Sequence, residues 1–200
     1  MNRILTISAG RTAPLLFEAR GARESVASGI VKRPVSTLDD PLAVAVSPMG
    51  IDGDEQADLT VHGGLGQAVY VYPAEHYPFW HTVRSQAKVA GDLPHGSMGE
   101  NLTVEGLLET GVWLGDQIEA GEVVLRVERH RKPCYKFDAH MGFSWATRMM
   151  VQSGYCGFYC SVVRPGKLAA GTALALRAGD RNVNIAEMHR LAHRGPTGRR

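Results

Sequence analysis

The chain has 200 residues, of which 44% are hydrophobic and 21% are charged, and its formal net charge is +2. This composition fits one main soluble domain with a sizeable core, and the small net charge argues against a polyanionic partner such as nucleic acid. No apolar run reaches the length of a transmembrane helix, and the N-terminal "MNRILTISAG" is too short in apolar residues for a secretory signal. We therefore expect a cytoplasmic protein that contacts no membrane.

Short β-type runs separated by glycine and proline predict a mostly β fold, either a barrel or a sandwich. The predicted strands are residues 3–7, 42–46, 68–72, 123–128, 158–163 and 173–177. The clearest hairpin lies within residues 112–130, where "LGD" and "EAG" indicate turns. There Val123, Leu125 and Val127 alternate with a more polar set of side chains, which predicts an antiparallel element with one wetter face.

Helical spacing interrupts this β pattern at three places. Residues 73–88 place Phe79, Trp80 and Val83 on one side of a helix, with Pro73 at its start. Residues 143–154 predict a second helix that stops at Gly154. A third short helix follows residue 180, and the basic stretch that ends the sequence is expected to be a solvated tail.

The sequence has three cysteines, Cys134, Cys156 and Cys160. Their number is odd and no two of them form a CxxC pair, which argues against a disulfide framework and against a structural zinc knuckle. Cys156 and Cys160 lie in the apolar "YCGFYC" on one side of a predicted strand, so we expect them in the core. A zinc site made from them with His140 would match no standard ligand set.

Cys134 lies in "RHRKPCYKFD", with Arg129, Arg131 and Lys132 before it and Lys136 after it. A positive field of this kind favours a thiolate, which serves as a nucleophile or as a ligand of a soft metal. The decapeptide alone is equally consistent with a packing role for the cysteine, because buried and inert cysteines are common.

Two further stretches have side chains that could hold a ligand. In "GIDGDEQADLTVHGG" (50–64), four carboxylates precede His62, Gly63 and Gly64, but the spacing does not fit a calcium loop of the EF-hand type. The "VHGG" segment is either a ligand cradle or a tight turn. In "GSMGENLTVEG" (96–106), Glu100 and Asn101 are of the type that binds a polar heterocycle by paired hydrogen bonds.

The ordered motifs "GDEQADLTVHGG", "AVYVYPAEHY", "GENLTVEG", "LGD", "KPCYK" and "GFYCSVVRPG" resemble the MOSC domain family of molybdenum cofactor proteins, and its YiiM-type subgroup in particular. The resemblance covers roughly residues 1–180, and the ordered set is far more specific than any single motif. It implies a MOSC-type β-barrel domain over 1–180, with residues 181–200 as a C-terminal helical tail. The subgroup usually continues into a three-helix extension, so this tail is expected to be the start of a truncated or shortened one.

The resemblance also implies the site residues. The family's metal-ligating cysteine falls on Cys134, and its flanking basic residues fall on Arg131 and Lys136. Further expected contacts of the molybdenum cofactor (Mo-molybdopterin) are His62, Gly63, Gly64, Gly99, Glu100 and Asn101. His62 is also a candidate catalytic proton donor, or it only holds the loop.

The activity that the resemblance implies is the reduction of small N-hydroxylated compounds, such as 6-hydroxylaminopurine, from N–OH to N–H. An external flavoprotein reductase is the expected electron-donating partner. Two alternatives stay open: a cofactor carrier without turnover, and a metal-free enzyme in which Cys134 is a covalent nucleophile with His62 or His140 as its base. Binding of nucleic acid by the basic tail is not expected.

Overall fold

A computed structural model describes residues 2–19, 21–57 and 64–194 of the chain. The strands of this part are β1 (Arg3–Ala9), β2 (Ala13–Ala19), β3 (Ala22–Ser28), β4 (Arg33–Thr37), β5 (Val44–Ser47), β6 (Gly50–Ile51), β7 (Val69–Pro73), β8 (Leu102–Glu105), β9 (Gln117–Ala120), β10 (Val123–His130), β11 (Phe158–Arg164), β12 (Gly166–Leu168) and β13 (Leu174–Arg177). The α-helices are α1 (Tyr77–Gln86), α2 (Tyr135–Met141), α3 (Ala146–Ser153) and α4 (Ile185–Ala192). Short 3-10 turns cover Leu65–Gln67 and Ala74–His76. The fold is therefore mostly β, as the sequence predicts.

The largest sheet has eight strands in the order β13-β9-β10-β11-β7-β8-β1-β4. Neighbouring strands are antiparallel except for β7 and β8, which pair in parallel. Strand β1, next to one end of this order, also contacts the chain around the start of β13, at the other end. Ile4 N donates to Thr172 O at 2.9 Å, and Leu174 N donates to Asn2 O at 2.9 Å. Among the described residues no closed barrel is found, so the predicted barrel is not confirmed.

The hairpin of β9 and β10 confirms the prediction for residues 112–130. The two strands are antiparallel, and Val123, Leu125 and Val127 are buried while Arg126 is exposed. Val124 was expected on the more polar face with Arg126, but it is also buried. Burial of the apolar side chains drives this pairing, and the long β10 then carries the chain to the segment that contains Cys134.

The predicted helices exist, but their bounds are narrower. The segment after Pro73 begins as the 3-10 turn and becomes α1, which buries Trp80 and Val83 in the core. Helix α3 begins at Ala146 and ends at Ser153, and the next residue, Gly154, has a φ of 74°, the left-handed conformation expected for a glycine stop. No described helix is both long and apolar enough to cross a membrane.

The core is formed by the inner faces of the large sheet and by the helices that cover it. All five residues of β7 are buried, and Cys156 and Cys160 are fully buried beside them, as predicted. Burial raises the pKa of both thiols, so they remain protonated and inert.

Helix α4 packs against the outer end of β10. Its first turn is capped by Asn184, whose side-chain oxygen accepts a hydrogen bond of 2.8 Å from Glu187 N. Ile185 is fully buried and belongs to the core cluster. The division of the chain at residue 180 stays a prediction, and residues 195–200 lie outside the described part.

Candidate functional site

A pocket beside Cys134 brings together five of the residues that the sequence predicts for the site. Cys134, Arg131, Lys136, Gly99 and Asn101 all line its wall. The pocket encloses about 750 Å³ of empty space, counting the solvent at its mouth. Other lining residues include Lys32, Asp54, Gln56, Tyr70, Lys132 and Tyr159.

Cys134 lies in the short link between β10 and α2, and its backbone is held in place. Its carbonyl oxygen accepts hydrogen bonds from Phe137 N at 2.8 Å and from the Thr147 hydroxyl at 3.0 Å. The side chain is half-buried at the pocket wall. The thiol is therefore held on a fixed backbone where a ligand in the pocket can reach it.

Arg131 is buried, and its guanidinium donates hydrogen bonds to uncharged groups. Its Nη1 donates to Met98 O at 2.6 Å and to the Tyr70 hydroxyl at 3.4 Å. The guanidinium also lies over the rings of Tyr70 and Phe137, at 5.1 Å and 4.7 Å from their centroids. No carboxylate in the described ranges forms a salt bridge with it.

Three lysines add to the positive charge of the pocket. Lys136 Nζ donates to Ala27 O at 3.2 Å, which joins α2 to the end of β3, and Lys132 is exposed. Lys32 differs, because it is buried and forms a salt bridge with Asp54. Burial lowers the pKa of Lys32, while the Asp54 carboxylate acts in the opposite direction.

The acidic stretch around Asp54 contributes a bracing residue to the pocket. Besides Lys32, the Asp54 carboxylate accepts from Gly10 N at 3.0 Å and from Asn101 Nδ2 at 2.8 Å. Glu55 is tied to the same region, since Thr12 N donates to its carboxylate at 2.9 Å. These carboxylates bind protein donors, which fits a structural role.

Glu100 does not line the pocket, although the sequence predicts it as a cofactor contact. Its carboxylate is fully buried and accepts hydrogen bonds from Gly96 N, Met98 N, the Tyr77 hydroxyl and the Thr103 hydroxyl at 2.5–2.9 Å. Burial and the Glu100 carboxylate raise the pKa of Tyr77, which keeps its hydroxyl a donor. Glu100 thus holds the loop that presents Gly99.

Asn101 lines the pocket, but its side chain is committed to the protein. Its Oδ1 accepts from Tyr70 N at 3.0 Å, and its Nδ2 donates to Asp54 and to Ser8 O. At Gly99, where φ is +81°, an added Cβ would lie 3.0 Å from Ile30. The missing side chain at Gly99 therefore lets this loop pack closely against Ile30.

Three other predicted residues are not part of the described pocket wall. His62 and Gly63 lie outside the described residues. Gly64 precedes the 3-10 turn at Leu65–Gln67 with φ +85° and does not line the pocket.

The alternative base, His140, lies in the last turn of α2 and does not line the pocket. Burial and the nearby Arg131 cation lower its pKa. Sequence reasoning missed Lys32, Tyr70 and Tyr159. The two tyrosines face each other across β7 and β11 with ring centroids 4.9 Å apart, and only the alternation within their strands could have indicated this.

Comparison with known proteins gives matches over most of the chain. The sequence model of the MOSC domain matches residues 58–180. The chain is 35% identical to the uncharacterized protein YflK of Bacillus subtilis, over 94% of this chain and 79% of YflK. It is 36% identical to protein YiiM of Escherichia coli, over 76% of this chain and 66% of YiiM. A protein named reductase from Gibberella moniliformis is 28% identical, but the match spans only 31% of its length.

Solved structures give the same answer for the fold. A crystal structure of YiiM from Geobacillus stearothermophilus superposes with a TM-score of 0.72 at 26% identity, covering 96% of this chain and 84% of that one. The crystal structure of YiiM from Escherichia coli gives a TM-score of 0.69 at 26% identity, over 96% of this chain and 77% of that one.

Proposed function

Because this chain belongs to the MOSC domain family, we propose that it binds a molybdenum cofactor beside Cys134 and reduces N-hydroxylated compounds. The MOSC family is associated with binding of the molybdenum cofactor. The observation that carries the proposal is the position of Cys134 in one pocket wall with Arg131 and Lys136.

The residues of the pocket fit the cofactor chemically. A half-buried cysteine provides the soft sulfur ligand that suits molybdenum. The guanidinium of Arg131 lacks a carboxylate partner among the described residues, and Lys132 and Lys136 lie near it at the pocket wall. These cations suit the phosphate of a pterin, and Arg131 offers the forked donors that bind phosphate best.

When bound, the cofactor supplies two-electron redox chemistry at its metal. The chain's own residues hold and orient it: Cys134 Sγ is the metal ligand, and Arg131 and Lys136 bind the anionic end. Gly99 lines the same pocket wall, where its lack of a side chain lets the loop pack against Ile30. Glu100 and Asn101 act indirectly, since their side chains brace the loop and the strand that form the wall.

The overall reaction takes two electrons and two protons, converts N–OH to N–H and releases water. An external flavoprotein reductase supplies the electrons. His62 is the proposed proton donor, because an imidazole exchanges protons near neutral pH. The substitution His62→Gln should therefore lower kcat and alter the pH dependence of kcat, while molybdenum loading stays intact.

The test is turnover by the loaded protein. The chain is purified from a host that makes the cofactor, and 6-hydroxylaminopurine is supplied with a reduced viologen dye as the electron donor. We expect formation of adenine by the wild type, and none by Cys134→Ser. A chain that loads molybdenum but reduces no N-hydroxylated compound with any donor would instead be a cofactor carrier.

A further inference from the structure

Three histidines form a cluster outside the Cys134 pocket. His130 ends β10, while His189 and His193 are one turn apart at the end of α4. One ring nitrogen from each histidine lies within 4.8 Å of the other two. The rings of His189 and His193 have centroids 4.3 Å apart, and that of His130 lies 5.3 Å from His189.

His130 is the most unusual member of the cluster. Only 3% of the residue is exposed, yet neither ring nitrogen has a hydrogen-bond partner in the part of the chain that the structure describes. Buried polar atoms in folded proteins nearly always have a partner. A buried imidazole with two open nitrogens beside two other imidazoles therefore indicates a ligand.

Backbone carbonyls fix the tautomers of the other two histidines. His189 Nε2 contacts Val151 O at 3.1 Å, and His193 Nδ1 contacts His189 O at 2.9 Å. A carbonyl oxygen only accepts, so the proton lies on those two nitrogens and the lone pair lies on the other nitrogen of each ring. Carbonyl contacts of this kind orient histidines that bind metals. His189 Nδ1 is itself buried and unpartnered within the described ranges.

We propose that His130, His189 and His193 form a binding site for a divalent transition-metal ion, with Zn²⁺ as the best match. Neutral imidazoles are ordinary ligands of Zn²⁺, and three of them leave the fourth tetrahedral position to water. Ideal geometry places ligand nitrogens about 3.3 Å apart, so small rotations of the side chains close the site. His193 is exposed, which gives the ion a path from solvent.

Burial favours the neutral form of His130 and His189 over imidazolium. Burial and the two neighbouring histidines lower the pKa of His130 to about 4, and the cations Lys132 and Arg129 act in the same direction. Burial also lowers the pKa of His189, while its hydrogen bond to Val151 O and the Glu109 carboxylate act in the opposite direction. The lowered pKa values of His130 and His189 favour the neutral imidazoles that bind a metal.

A metal at this position would tie α4 to the end of β10, shortly before Cys134. Helix α4 is only eight residues long and contacts β10 along its side. The ion would thus stabilise the C-terminal helix on the sheet. This inference does not rest on the proposed function, because none of its three histidines lines the Cys134 pocket.

The test measures Zn²⁺ binding by competition with a chromogenic chelator, in a Cys134→Ser background that removes the thiol of the pocket. We expect one Zn²⁺ per chain and a higher unfolding temperature when Zn²⁺ is present. Cobalt substitution should give the intense visible bands of a tetrahedral site. His193→Gln removes a ligand at an exposed position. It should weaken Zn²⁺ binding at least about tenfold, which is the cost of losing even a hydrogen-bond partner of a metal ligand.

The matched control is His81→Gln, since His81 is an exposed histidine on α1. It should bind Zn²⁺ as tightly as the parent. A second variant, His130→Gln, should also lose binding, and circular dichroism of the metal-free protein checks that it folds. The proposal is overturned if the parent shows no saturable binding, or if His193→Gln binds Zn²⁺ as well as His81→Gln does.

Discussion

The Arg131 guanidinium donates a hydrogen bond of 2.6 Å to the Met98 carbonyl oxygen. This contact joins the segment before Cys134 to the loop that Glu100 braces, so two distant parts of the sequence meet at one pocket. Because a carbonyl carries no net charge, it orients the guanidinium without neutralising it. We infer that an anion in the pocket supplies the missing countercharge.

Arg131→Met tests this role. The substitution leaves the Met98 carbonyl without its donor but also removes a buried charge that has no carboxylate partner in the described ranges, so the unfolding free energy of the cofactor-free protein should fall by no more than about 2 kcal/mol. Retention of molybdenum should fall at least about tenfold, because a charged hydrogen bond to phosphate is lost. Urea unfolding and metal analysis measure the two effects.

Arg148→Met is the matched control, because Arg148 is an exposed arginine on α3. It should change neither quantity. A large loss of stability in Arg131→Met with normal molybdenum retention would mean that Arg131 is a structural residue only.

Glu100→Gln should destabilise the protein without changing any residue that lines the pocket. The carboxylate accepts from two backbone N–H groups and two hydroxyls, and an amide nitrogen in its place would face donors. We expect a loss of about 2–3 kcal/mol in urea unfolding. Glu105→Gln removes only the exposed pair with Arg3 and should cost less than about 1 kcal/mol. Equal effects of the two changes would contradict the assignment.

The pH dependence of stability should include a contribution from His130. Its pKa is lowered to about 4 in the folded protein, by burial first and by His189 and His193 next, whereas an unfolded histidine titrates near 6.5. The unfolded state therefore binds more protons between these two values. Stability is full above the unfolded pKa and falls as pH decreases through this window, by at most about 1.4 kcal/mol per pH unit.

Unfolding in urea with EDTA present, at several values of pH, measures this slope. His130→Gln should reduce it, and His81→Gln should leave it unchanged. Other histidines contribute as well, since burial also lowers the pKa of His95 and His140. A slope that is identical in the wild type and His130→Gln would show that His130 is not buried in its neutral form.

Alkylation should separate Cys134 from the other two cysteines. Cys134 is half-buried at an open pocket, whereas Cys156 and Cys160 are fully buried and their thiol pKa values are raised by burial. Iodoacetamide should modify only Cys134 in the native, cofactor-free protein, as peptide mass spectrometry would show. Bound cofactor should protect it. Modification of Cys156 at the same rate would be incompatible with the described packing.

Much of the fold follows from local patterns in the sequence. Runs of apolar residues predicted β7, β10 and β11. The turn residues within 112–130 predicted a hairpin, which the antiparallel pairing of β9 and β10 confirms. Helix α2 was missed because it has only seven residues, too few for a helical period to be recognised. The hairpin of β2 and β3 was missed, and most of its described side chains are exposed.

The site could be predicted only in part, for a physical reason. Cys134, Arg131 and Lys136 lie within six residues of one another in the sequence, so their placement in one site could be predicted, and all three line the pocket. Lys32, Tyr70 and Tyr159 come from separate strands and loops, and only tertiary contacts bring them to the pocket. The sequence also gave no sign that Glu100 is committed to the backbone of its own loop, because hydrogen-bond partners depend on the fold.

The central measurement is the molybdenum content of the purified chain. The wild type and Cys134→Ser are produced side by side in a cofactor-making host supplied with molybdate, with Cys160→Ala as the control for loss of a core thiol. We predict about one molybdenum per chain in the wild type and in Cys160→Ala, and a near-complete loss in Cys134→Ser. A wild-type chain without molybdenum, or a Cys134→Ser chain that retains it, would contradict the role of Cys134 as the metal ligand.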